Sequence, residues 1–257
     1  MSGDRDFAGK IALVTGTTGI GRAAALRLAR DGAAVLACGI DEAANAELAA
    51  LGVATRRTDV SDEADVAAAV AEAVARFGGL DIIVNAAAVH PYGTVLTTAA
   101  EDWARCMAVN VGGIYLTARF GIPEMTKRGG GAIVNLSSVQ GHNCQPGVTA
   151  YVASKGAIHA LTRAMALDHA EAGIRVNSVS PGSVRTPILA LAARKLGAEL
   201  SEEEAFARFG AAHPIGRVGE PEEIAELIAY LASDRAGFVT GADYLIDGGL
   251  AAGLAVK

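Results

Sequence analysis

Short apolar segments alternate with Ala-rich segments of helical spacing along all 257 residues, and this alternation leaves the chain few folds. The apolar segments 11–15, 34–38, 53–57, 80–84, 131–137, 174–179 and 243–246 are nearly continuous in hydrophobicity, as strands buried on both faces of a parallel sheet must be. Between them, 20–31, 62–77, 98–128, 150–172 and 220–232 carry helical periodicity. Ser61 stands where it can cap the second of these, Thr98 and Glu101 have capping-box spacing, and Pro221 suits a first helical turn. Right-handed crossovers between such units predict a single α/β domain, a doubly wound parallel seven-stranded sheet with helices on both faces. There is no linker or repeat; the least regular stretch, about 186–215, is an insert.

Composition excludes several classes. The net charge of -6, without a Lys/Arg cluster, argues against a nucleic-acid surface. No apolar run reaches the ~18 residues of a membrane span, and "MSGDRDFAGK" lacks a signal peptide's apolar core, so a cytoplasmic location is expected. Cys38, Cys106 and Cys144 are scattered, and His90, His142 and His213 are far apart, so neither a disulfide framework nor a metal site is expected.

The first strand runs into "TGTTGIG", with Gly16, Gly19 and Gly21 opening a helix. Glycines at such a junction let backbone approach a pyrophosphate, whose charge the free N–H groups of the helix start favour. The second strand ends "VLACGIDE". An acid there would accept hydrogen bonds from the adenosine ribose and repel a 2′-phosphate. Asp41 is the candidate, as ribose ligand or as a solvated helix-start residue. No basic residue lies in the turn, which favours NAD over NADP.

In "YVASKGAIHALTRAMAL", Tyr151 and Lys155 share a helix face. A phenol titrates near ~10, so proton exchange near neutrality needs a nearby positive charge. Lys155 is placed to supply it. Ser138 ends the stretch "AIVNLSS", at the carboxyl edge where ligands bind in open α/β sheets, and its hydroxyl can polarise a carbonyl.

With "TGTTGIG", Asp59-Val60, "NAAA" from Asn85, "VNVGG" with Asn110, "NLSS", "YVASK", "RVNSVSPGSVRT" and "GADYLIDGG", nearly the whole chain resembles the single-domain short-chain dehydrogenases/reductases, which have a Rossmann-type sheet. The resemblance implies that Tyr151 is the general acid/base, that Lys155 lowers its pKa and holds the nicotinamide ribose, and that Ser138 binds the reacting oxygen. It implies that Asn110 holds a water linking Lys155 to solvent. It further implies cofactor contacts from Gly16, Thr18, Gly19, Ile20, Gly21, Asp59, Val60, Asn85, Ala86, Ala87, Pro181, Gly182, Val184 and Thr186, and a homotetramer. The activity implied is NAD-dependent oxidation of a secondary alcohol, with hydride moving to or from the nicotinamide.

Two departures bear on cofactor fit. The family's turn has three residues between its first two glycines, where this chain has Thr17 and Thr18, and its Asn-Asn-Ala-Gly appears as Asn85-Ala86-Ala87-Ala88. They keep open an alternative, a catalytically silent nucleotide-binding sensor or scaffold. Candidate substrate walls are Val89 to Tyr92, Val139 to Val148, and the insert with Phe206, Phe209 and His213. The polar Gln140, His142, Asn143 and Gln145 suggest a sugar- or polyol-like substrate. The insert reads as a lid or a rigid helix pair, Trp103 with Met107 as packing, and the small residues of "GLAAGLAVK" as an assembly surface or a tail.

Overall fold

The computed structural model describes residues 6–196 and 200–253, with the side chains of 195 and 196 outside that description. Its strands are β1 (Ile11–Thr15), β2 (Ala34–Gly39), β3 (Ala54–Arg57), β4 (Ile82–Asn85), β5 (Gly131–Leu136), β6 (Ile174–Pro181) and β7 (Asp243–Ile246). The helices are α1 (Gly19–Arg30), α2 (Glu42–Ala50), α3 (Glu63–Phe77), α4 (Ala100–Met107), α5 (Gly113–Lys127), α6 (Thr149–His169), α7 (Pro187–Leu196), α8 (Glu202–Gly210) and α9 (Pro221–Ala232).

All pairings are parallel, in the order β3-β2-β1-β4-β5-β6-β7. The expected doubly wound sheet is therefore present. The strands are apolar throughout because alternate side chains enter different layers. Ala12 and Val14 of β1 pack with Leu28 of α1 and Ile228 of α9, while Ile11 and Leu13 pack with Val70 of α3, Ile114 of α5 and Ile158 of α6. Each fully buried Leu or Ile contributes about 1.5–3 kcal/mol relative to exposure. The strand order reverses between β1 and β4, where an open α/β sheet leaves its ligand crevice.

Five local expectations are corrected. The segment expected as one helix over 98–128 is α4 and α5 joined by a π-helical turn at Ala108–Gly112, a distortion common at functional sites. Helix α2 had no expected counterpart: "EAANAELAA" has little amphipathic pattern, and its start is fixed by Asp41, whose side chain caps Ala44 N–H at 3.0 Å. Asp62 rather than Ser61 caps α3, because Ser61 donates to Asp59 instead. Thr98 forms no capping box: its hydroxyl donates to the Thr94 carbonyl, and α4 begins at Ala100. Trp103 is 42% exposed on α4 rather than packed in the core. Among the described residues no helix is long and apolar enough to cross a membrane.

Candidate active site

A cleft of about 770 Å³ runs along the carboxyl ends of the strands at the reversal point. At one end is the turn between β1 and α1. Gly16 has φ of 87°, and a Cβ there would stand 3.1 Å from the Ala86 and Ala87 backbone, so this residue must be glycine for two strand ends to meet. Thr18 caps α1 without a side-chain hydrogen bond, and the first turn holds no acidic residue. Its N–H groups and positive dipole end are thus left for an anion, which is what a dinucleotide pyrophosphate requires.

The shortened turn has a visible partner. Thr17 is buried, and a Cβ at Gly39 would lie 2.3 Å from its Oγ1 and 3.0 Å from its Cγ2. The Thr17 side chain therefore takes the space that a longer residue at the end of β2 would need. Asp41 also lines this end, with Oδ1 committed to capping α2. Farther on are Asp59 and Val60; the Ser61 hydroxyl and N–H both bond Asp59 Oδ1 and hold its carboxyl below the usual range.

At the other end, β5 delivers Ser138 and α6 delivers Tyr151, both lining the cleft. Ser138 Oγ accepts from Gln140 N–H at 3.1 Å, which fixes its rotamer. Tyr151 packs under His90, with ring centroids 4.1 Å apart. Lys155 is buried, its Nζ 5.3 Å from the Tyr151 ring centroid and 2.7 Å from the Leu136 carbonyl oxygen. The expected lowering of the phenol pKa is not what this geometry gives. Burial pushes Tyr151 up to about 12, against a smaller opposing effect of hydrogen bonding to Ser138. The ammonium is directed to Leu136, and burial brings Lys155 itself down to about 8.

Asn110 lies in the π-helical turn and is fully engaged: Oδ1 accepts from Val89 N–H at 2.8 Å, while Nδ2 donates to the Val89 carbonyl at 3.0 Å and to Ser154 Oγ at 3.0 Å. It supports the Val89–His90 wall from behind.

Of the residues expected at the cofactor, Gly16, Thr18, Gly19, Ile20, Asp41, Asp59, Val60, Ala86, Ala87, Pro181, Gly182, Val184 and Thr186 line this one cleft. Gly21, Asn85 and Lys155, the last expected to hold the nicotinamide ribose, do not. A Cβ on Gly21 would stand 2.1 Å from the Gly16 carbonyl oxygen, so its role is to pack α1 against the turn. Asn85 is in a buried network, donating to Asn135 Oδ1 at 2.9 Å and accepting from Thr117 Oγ1 at 2.8 Å.

The expected substrate walls divide similarly. His90, Tyr92, Gln140, Asn143, Gln145 and Phe209 reach the cleft. Phe206 is instead buried between α7 and α8 with Ala193 and Val218, and His213 is buried, its Nε2 accepting from Ser183 N–H at 3.1 Å. The 186–215 insert is a helix pair flanking the 197–199 segment, and Ile188, Leu189 and Ala192 of α7 face the cleft. Two contributions escaped sequence reasoning. Thr17 could have been suspected from the glycine at 39, and Leu250 and Ala251 carry no signal, since a small-residue tail says nothing of where it folds back. Residues 254–257 of that tail lie outside the described residues.

The family model described as enoyl-(acyl carrier protein) reductase, within the short-chain dehydrogenases/reductases, matches residues 14–251. Cyclohexanol dehydrogenase of Acinetobacter sp. (strain SE19) is 39% identical over 94% of this chain and 95% of its own. An inactive 2-(S)-hydroxypropyl-CoM dehydrogenase 2 of Xanthobacter autotrophicus is 44% identical over 87% of this chain and 93% of its own. The ligand-free structure of Thermoplasma acidophilum aldohexose dehydrogenase superposes with a TM-score of 0.93 at 33% identity, covering 99% of both chains. The chain belongs to the short-chain dehydrogenase/reductase family. It is an oxidoreductase acting on CH–OH groups of a small-molecule substrate with a nicotinamide cofactor.

Proposed function

We propose that this enzyme is an NAD-dependent dehydrogenase of a polar secondary alcohol, sugar- or polyol-like, working in the cytoplasm as a homotetramer. The observation that carries the reading is that Ser138 and Tyr151 line the same cleft as the glycine turn. NAD is favoured because the Cys38–Glu42 turn offers Asp41 and no cation for a 2′-phosphate. Gln140, Asn143 and Gln145 on one wall favour a hydroxylated substrate, and the likeness to an aldohexose dehydrogenase supports this. Exposed Trp103 on α4 and Tyr115 on α5 favour assembly through those helices.

The bound nicotinamide supplies the carbon that exchanges hydride with the substrate. Ser138 Oγ holds the reacting oxygen, and Tyr151 Oη takes its proton during oxidation or returns it during reduction. Lys155, anchored on the Leu136 carbonyl, would hold the nicotinamide ribose, with Asn110 bracing the Val89–His90 wall. Pro181, Gly182, Val184 and Thr186 would hold the carboxamide end.

Thermal shifts measured separately with NAD and NADP test the cofactor, and reduced-nicotinamide absorbance across sugars, polyols, hydroxy acids, steroids and simple alcohols tests the substrate. A larger shift with NAD is expected. A larger shift with NADP would overturn the reading of the Cys38–Glu42 turn. Cofactor binding without turnover on any substrate would favour a silent binding protein, a reading the relative named as inactive keeps in view.

A further inference from the structure

Three side chains that the cleft does not use converge beside it. His142 follows a short helical turn at Val139–Gly141, His159 is one turn beyond Lys155 on α6, and Asp243 opens β7. Their ligand atoms all lie within 4.8 Å of one another. His142 Nε2 is 2.7 Å from Asp243 Oδ2, and His159 Nε2 is 3.4 Å from Asp243 Oδ1. The fold brings this about: β7 pairs with β6 in a register that sets Asp243 opposite Ser178, beneath α6.

We propose that His142, His159 and Asp243 bind a divalent transition-metal ion of the zinc class, tying the loop after Ser138 to α6 and β7. Two imidazole nitrogens and one carboxylate suit zinc, whereas magnesium and calcium select all-oxygen shells. Zn–N bonds of about 2.0–2.1 Å in a tetrahedron put ligand atoms about 3.3 Å apart. The imidazoles stand 2.7 and 3.4 Å from the two different oxygens of Asp243, and the three ligand atoms lie within 4.8 Å, so small side-chain rotations bring one oxygen and both nitrogens onto an ion. An outer shell is in place, since the hydroxyls of Ser178 and Ser180 both donate to Asp243 Oδ1, the latter at 2.9 Å. His159 is 7% exposed and held by the helix, whereas the His142 side chain is 39% exposed, so the fourth position opens to water. Each ring binds as neutral imidazole through Nε2, which gives up its bond to Asp243 or, for His159, to Ser180 Oγ at 3.1 Å. The ring proton then sits on Nδ1, and a ring that was cationic releases one proton to solvent. Because Gln140, Asn143 and Gln145 flank His142 and line the cleft, the ion stiffens the substrate wall and shifts KM more than kcat.

Tag-free, chelator-treated protein titrated with Co2+ should develop the visible bands of a four-coordinate site at one equivalent, bleached by Zn2+, and Zn2+ should raise its Tm. His142→Asn and His159→Gln should each weaken binding by about a hundredfold, and Ser180→Ala by about tenfold. Because His142 is on the surface, its variant decides the matter if His159→Gln does not fold. Cys144→Ser, which removes the exposed thiol of the same loop, should leave binding intact. The proposal is overturned by the absence of both bands and Tm shift at several-fold excess of metal. Binding that survives both histidine changes, or that is lost with Cys144, overturns it equally.

Discussion

The nucleotide end and the substrate end of the cleft are walled by different kinds of structure. Around the glycine turn the walls are strand ends and backbone, fitted so closely that Gly16 meets the Ala86–Ala87 backbone and Gly39 meets Thr17. Around Tyr151 the chemistry is equally anchored, on β5 and α6, but the facing wall is α7, Phe209 and the folded-back 250–253 segment. That wall rests on a small satellite core of Ala193, Ala205, Phe206 and Val218 and on exposed ion pairs from Arg185. Positions fixed by the sheet tolerate little change in size, whereas the helix pair can change its face without disturbing the sheet. A common chemistry on one side can therefore serve varied substrates on the other.

The comparison is broken most directly at Tyr151. Tyr151→Phe keeps the ring under His90 and removes the proton carrier, so kcat should fall by about 10³ or more while NAD affinity stays near wild type. Stopped turnover with retained cofactor thermal shift is the expected pair of readings. Comparable loss of both would mean that the phenol is a binding group rather than an acid/base.

Lys155→Met gives the next largest effect, with a sign that burial determines. Folding depresses this ammonium from 10.5 to about 8, so the native state holds its proton less well than the unfolded chain does. The cost is absent above about pH 10.5, grows as pH falls, and is complete below about pH 8. Relative to wild type, the variant should be more stable at pH 7 by up to about 3 kcal/mol, an advantage that shrinks toward pH 10.5. Urea unfolding at both pH values measures it, with turnover lost in the same variant. An advantage that does not depend on pH would show that the lysine is not carrying a buried charge.

How much of this was legible follows the same division. The sheet was readable because both-face burial leaves continuous apolar runs, and Ser138, Tyr151 and Lys155 because their spacing sets them at one sheet edge. What escaped depends on contacts between distant segments. Asn85 looks like a cofactor residue in sequence, yet its amide is taken by Asn135 and Thr117. Ser61 looks like a cap, yet Asp59 takes its hydroxyl. Phe206 and His213 look like pocket walls, and packing turns both inward. The phenol's pKa was misjudged because spacing shows a neighbouring lysine but not that its ammonium points at a carbonyl.

The fit between Thr17 and Gly39 sharpens the nucleotide side. Gly39→Asp places a Cβ against Thr17 and should destabilise the protein by about 1–3 kcal/mol, as overpacking does. Combining it with Thr17→Gly removes the clash, so the double variant should be more stable than the sum of the two single changes predicts. It should also bind NAD more tightly than Gly39→Asp alone. Strict additivity in the cycle would show that Thr17 does not close this position, and the short turn would then need a different account.

The smallest effect belongs to the helix pair. Arg185 reaches Glu203 on α8 at 2.7 Å and Glu220 before α9 at 3.3 Å, with its guanidinium over the Phe206 ring. Exposed ion pairs of this kind add little to stability, so Arg185→Gln should leave Tm nearly unchanged. Its consequence should appear in KM, because Arg185 adjoins Thr186 and helps set how α8 meets the start of α7, whose Ile188 and Leu189 face the substrate. A rise in KM of about twofold to fivefold at constant kcat is expected, about 0.4–1 kcal/mol of substrate binding. If kcat falls and KM does not, the helix pair belongs with the catalytic edge, and the division between the two ends of the cleft is drawn in the wrong place.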